Sequence, residues 1–74
     1  MMTFERIAKL IAENKDMDMA GITMETSFED MELDSLDVIE VVMSIEEEFG
    51  ITLEIEDSVK TVGDLVKLVD SLTE

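Results

Sequence analysis

The 74-residue chain contains no cysteine, no histidine, no proline, no tryptophan and no tyrosine. Without cysteine there is no disulfide, no thiol nucleophile and no thiolate metal site. Without histidine the commonest general base and the commonest metal ligand are both missing, so Ser-His-Asp and Cys-His catalysis are excluded. Basic residues are scarce as well: five Lys and Arg face 20 Asp and Glu, a formal charge of −15. Phosphate binding needs a cationic surface, so nucleic acid is not an expected partner, and an anionic membrane surface is disfavoured for the same reason. No apolar run approaches the roughly 20 residues of a membrane span. The opening Met1-Met2-Thr3-Phe4-Glu5 lacks the basic-then-apolar pattern of a signal peptide. The expectation is a cytoplasmic, monomeric protein.

The acid is concentrated. Between Asp16 and Val59 there are 15 Asp and Glu and no Lys or Arg, whereas the two ends are nearly neutral. The central segment therefore repels itself and attracts basic protein surfaces. Disorder is argued against by the 46% apolar content and the mean hydropathy of +0.16. One domain, residues 1–74, is all that this length supports.

The pattern reads as four helical segments. The first runs from about Phe4 to Asn14 with Thr3 as its cap, on a stripe of Phe4, Ile7, Ala8 and Ile11 that Leu10 widens. A long loop to Asp34 follows, pinned by Ile22, Phe28 and Leu33. The second helix runs from Ser35 to Phe49, with Gly50 as a left-handed stop. Residues 51–60 read as an extended stretch passing into a short third helical turn at Glu56–Val59. The last helix follows Thr61, capped by its hydroxyl and by Asp64, and buries Val62, Leu65, Val66, Val69 and Leu72. The fold class is all-α: a small four-helix bundle, three main helices plus a short third one, with a long loop between helices one and two.

At about 100° per residue the second helix has two faces. Val38, Val41, Val42, Ile45 and Phe49 form a core side. Leu36, Glu40, Met43 and Glu47 form an outer stripe flanked by Asp37 and Glu46. That stripe is either a solvated face or a docking surface in which Leu and Met give apolar contact and the carboxylates steer a basic partner. Ser35 stands where the loop meets this helix. A serine there is commonly a cap, yet a helix start also favours a bound anion. Asp16-Met17-Asp18-Met19-Ala20-Gly21 begins like a calcium loop, but Ala20 falls at the fifth position, where an oxygen ligand is required, and Ser27 at the twelfth, where a bidentate Glu is required. No specific metal site is expected, only weak surface binding of Mg²⁺ or Ca²⁺.

Leu33-Asp34-Ser35-Leu36-Asp37-Val38-Ile39-Glu40, then Ser44-Ile45-Glu46-Glu47-Glu48-Phe49-Gly50-Ile51, resembles the acyl carrier protein family. Thr26-Ser27-Phe28 before it and Lys60-Thr61-Val62-Gly63-Asp64-Leu65 after it extend the resemblance over nearly the whole chain. It implies a covalent 4'-phosphopantetheine on Ser35, placed by a phosphopantetheinyl transferase from coenzyme A, and acyl groups carried as thioesters on the arm. It implies a carrier rather than an enzyme, serving synthase and acyl-transfer enzymes in fatty acid or polyketide synthesis. Asp34, Leu36, Asp37, Glu40, Met43, Glu46 and Glu47 become the partner-facing residues. Phe28, Ile39, Val42, Ile45, Phe49, Leu53 and Val62 become the core and acyl pocket. A D-alanyl, peptidyl or other specialised carrier is the alternative within that resemblance; an acidic helical adaptor or cation-binding protein with unmodified Ser35 is the alternative outside it. Two departures from the family pattern carry expectations of their own. Glu32 occupies a place where the family often has glycine, implying a different backbone turn, and the stretch from Phe49 to Thr61 is short and lacks proline, implying an abbreviated third helix.

Overall fold

A computed structural model describes residues 2–73. Among them there are three α-helices: α1 (Thr3–Lys15), α2 (Ser35–Phe49) and α3 (Val62–Thr73). The expected four-helix bundle is therefore corrected to three helices. Residues 56–59 close one hydrogen-bonded turn, Val59 N–H to Glu56 C=O at 2.9 Å, and go no further. A second single turn, a 3₁₀ turn at Met19–Gly21, lies in the long loop, where the Asp18 carboxylate accepts from Ala20 N–H.

α1 packs against both other helices. Polar ties at both of its ends show that it runs antiparallel to α2, and one tie sets its start beside the end of α3. Arg6 lies 4.0 Å over the Phe49 ring and 3.0 Å from Glu48 at the end of α2, while Lys15 reaches Asp37 and Glu40 near its start. Thr3 donates its hydroxyl proton to Asp70 at 2.5 Å, joining the start of α1 to the end of α3. Thr3 is thus not the cap of α1: Met2 holds that position and gives no side-chain bond.

Buried between the helices are Ile7, Ala8 and Ile11 of α1, Val41, Val42 and Ile45 of α2, and Val62, Leu65, Val66 and Val69 of α3. The loops add Ile22, Phe28, Met31 and Leu53. Phe49 is only half-buried beneath Arg6, and Leu72, expected in the core, is 47% exposed in the last turn of α3.

The long loop is fastened rather than loose. Phe28 N–H bonds Lys60 C=O, Val62 N–H bonds Thr26 C=O and Gly63 N–H bonds Met24 C=O, at 2.8 to 3.0 Å. The last contact is so close that a Cβ on Gly63 would lie 2.8 Å from the Met24 oxygen, which is why glycine stands there. Ser27 and Asp30 exchange reciprocal side-chain bonds that tighten the following turn. Those local bonds, with Ile22, Phe28 and Met31 in the core, replace the regular structure that the segment lacks.

The start of α3 is as the sequence predicts. Thr61 Oγ1 accepts from Asp64 N–H at 3.1 Å, and the Asp64 carboxylate accepts from the N–H groups of Lys60 and Thr61. Those two backbone donors, Lys60 first, hold the Asp64 carboxyl below the usual carboxylate range. A group whose folded-state pKa is lowered stabilises the fold above its unfolded value and loses that contribution as pH falls. Asp64→Ala should therefore melt below the wild type at pH 7, and the gap should close as pH drops below about 4, the unfolded value. Melting curves of both proteins across pH check this; a gap that persists undiminished into acid contradicts it.

A serine at the rim of an apolar cleft

α2 begins with a capping box. The Asp34 carboxylate accepts from Asp37 N–H at 3.0 Å, and the Asp37 carboxylate accepts from Asp34 N–H at 3.2 Å. Asp34, not Ser35, is therefore the cap. Ser35 is the first helical residue; it is exposed and its hydroxyl takes no part in the cap. The turn feeding this start contains Glu32 at φ +58°, a left-handed conformation that glycine adopts freely and a residue with a Cβ does not. The expectation of a different turn at Glu32 is thus replaced by a glycine-like turn held under strain.

Beside Ser35 an open cleft of about 570 Å³ runs between α2 and residues 53–59. Its apolar walls are Val38, Ile39, Val42 and Met43 of α2, Leu53, Ile55 and Val59 opposite, and Phe28 and Leu33 from the long loop; Asp34, Glu46, Glu56 and Asp57 are its polar rim. Of the residues expected to form a pocket, Phe28, Ile39, Val42 and Leu53 line it. Ile45 and Val62 are fully buried in the helical core instead, and Phe49 lies at the far end of α2 under Arg6. Ile39 is a half-open wall, 52% exposed, not a core residue. Leu33, Val38, Ile55 and Val59 complete the walls; their apolar character was visible in the sequence, but only the packing assigns them to this cleft.

Glu46 builds the far wall. Its carboxylate accepts from Leu53 N–H at 2.8 Å, and its carbonyl accepts from Gly50 and Ile51 at 2.9 and 3.2 Å. With Gly50 at φ +66° the chain turns sharply off α2 and comes back alongside it. One residue thus both ends the helix and fastens the extended segment that faces it. It points toward that segment rather than outward to a partner.

The outer stripe is partly as expected. Leu36 and Met43 are 71% and 59% exposed, and Glu47 is exposed. Asp37 and Glu40 are engaged: Lys15 Nζ lies 2.8 Å from one and 2.7 Å from the other. The Lys15 ammonium, then the Asp34 N–H, hold the Asp37 carboxyl below its ordinary value, and the two carboxylates raise Lys15. Lys15 was missed from sequence because it lies 22 and 25 residues from its partners.

A family model for the phosphopantetheine attachment site matches residues 5–69. The chain is 41% identical over 70 residues to the acyl carrier protein of Streptococcus pneumoniae, covering 95% of each chain. It is 41% identical to that of Streptococcus thermophilus over 99% of each, and 38% identical to that of Lactococcus lactis over 96% of this chain and 97% of the other. The chain belongs to the phosphopantetheine-bearing acyl carrier protein family. Its cofactor is covalent 4'-phosphopantetheine, and the chain fits it with an exposed serine at a helix start beside an apolar cleft.

Removing the Glu46 carboxylate should free the wall. In Glu46→Ala the Leu53 amide should exchange its hydrogen roughly tenfold faster, the effect of losing one charge-assisted hydrogen bond, while the Ile45 amide is unchanged. Amide exchange followed by NMR tests this; an unaltered Leu53 rate would show that the Glu46 carboxylate does not hold the segment.

Proposed function

We propose that Ser35 is the attachment serine and that the cleft beside it shelters the acyl chain carried on the arm. The supporting observation is one juxtaposition: the exposed Ser35 hydroxyl, left out of the cap by Asp34, borders a cleft walled by Val38, Val42 and Leu53. Ser35 Oγ is the ester oxygen, and the arm, when bound, supplies the thiol that carries acyl groups as thioesters. The chain's own residues do the rest. Asp34 and Asp37 hold the helix start that presents Ser35. The apolar walls exclude water from a chain lying between them. Glu46 keeps the far wall in place.

The protein then acts as a carrier presented to other enzymes, not as a catalyst. Its outer stripe of Leu36, Glu40, Met43 and Glu47 is the docking surface for basic partners, among them the phosphopantetheinyl transferase and the synthase and acyl-transfer enzymes of fatty acid synthesis. Fatty acid rather than peptidyl carrying is favoured by the acid-rich α2 and by Met31-Glu32-Leu33 before Asp34, where peptidyl carriers have glycine-rich sequence.

Intact mass after incubation with a phosphopantetheinyl transferase, Mg²⁺ and coenzyme A tests the attachment. The wild type should gain one arm and Ser35→Ala none. Because Ser35 does not cap α2, the alanine variant should melt close to the wild type. An arm on the variant, at Ser27 or Ser44 for example, would overturn the assignment, and a wild type that gains no mass would favour an unmodified acidic adaptor.

A further inference from the structure

No lysine or arginine occurs between Asp16 and Val59, so any internal cation at the acidic face of α2 must come from another element. α1 supplies one at each end of that helix. Arg6 takes Glu48, and Lys15, the last residue of α1, places its ammonium between Asp37 and Glu40. The Lys15 side chain is only 12% exposed, whereas Glu40 keeps 62% of its surface. Glu40 is therefore reachable from solvent but already shares a cation, about one and a half turns from Ser35.

We propose that Lys15 is an internal counter-ion that attenuates docking, lowering the attraction of the α2 face for cationic protein surfaces at the end nearest Ser35. A basic group arriving at Glu40 or Asp37 must displace Lys15 or approach it as a like charge. A partner is thereby selected for cations that land on Glu47, farther along the stripe, with apolar contacts to Leu36 and Met43. The alternative role for Lys15 is a tether between the end of α1 and the start of α2. The two roles predict opposite signs. Loss of a tether loosens the helix that presents Ser35, so loading is slowed or unchanged. Loss of a mask leaves Asp37 held by Asp34 N–H through its other oxygen and exposes an additional negative charge, so loading is accelerated.

The inference rests on the docking reading given above, and the test separates the two. Loading by a basic phosphopantetheinyl transferase with coenzyme A is measured against NaCl concentration for the wild type, Lys15→Met, Lys15→Gln, Lys15→Arg, Lys9→Met and Glu47→Lys, each with a thermal melt. Lys15→Met and Lys15→Gln should raise kcat/KM at low salt by about two- to fivefold, through KM, with a gain that fades as salt screens it. Lys15→Arg should load as the wild type does. Lys9→Met makes the same change in net charge elsewhere on α1 and should give a smaller gain. Equal or slower loading by both neutral variants, or an equal gain from Lys9→Met, would overturn the proposal. Glu47→Lys reports on the underlying reading. If it slows loading while the Lys15 variants do not speed it, the stripe docks partners and Lys15 only tethers. If it loads as the wild type does, the docking reading itself falls.

Discussion

The reciprocal hydrogen bonds between Asp34 and Asp37 decide where α2 begins, and the rest of the site depends on that register. Because Asp34 satisfies the helix end, Ser35 enters as the first helical residue with its hydroxyl uncommitted to the cap. The same register turns Val38 and Val42 toward the cleft, Val41 and Ile45 into the core, and Leu36 and Met43 out to solvent. A helix begun one residue later would rotate these faces by about 100° relative to the loop that delivers them. The strained Glu32 just upstream shows that the approach to this start is imposed by the surrounding structure and not by local preference.

A cleft in so small a domain exists because the chain opposite α2 is not a full helix. Residues 51–60 run extended and close only one turn, so Leu53, Ile55 and Val59 face α2 as a thin wall. Glu46 secures this wall with a bond from a charged group to a backbone N–H, stronger than the average neutral one. Charge and shape are coupled here: a carboxylate of the acid-rich helix is used inward, to hold structure, while Glu47 beside it stays outward. The same division is seen at the helix start, where Asp34 and Asp37 build the cap and Glu40 is shared between Lys15 and solvent.

Much of this was legible in the sequence where the signals are short-range. The span of α2, its Gly50 stop and the Thr61–Asp64 cap are set by residues within four positions of one another, and all three appear as read. Whether Ser35 caps α2 was left open by the sequence, because Asp34 and Ser35 are both good caps and only the backbone distinguishes them. Thr3 looked like a cap by the same local rule and instead serves Asp70, 67 residues away. The pattern gave only a short helical turn at Glu56–Val59, and one hydrogen-bonded turn is what forms; the short segment between Phe49 and Thr61 otherwise spends its residues returning along α2. Lys15 escaped detection because its partners lie across the fold. Glu46 was read as partner-facing because a carboxylate bonding a backbone N–H seven residues on leaves no periodic trace.

If the cleft beside Ser35 receives the acyl chain, NMR of the phosphopantetheine-bearing protein loaded with acyl chains of increasing length will register it. The methyl signals of Val38, Val42 and Leu53 should move progressively as the chain grows, while those of Ile7 and Val69 in the helical core stay fixed. Shifts confined to Asp34, Ser35 and Leu36 whatever the chain length would contradict it and place the acyl group in solvent.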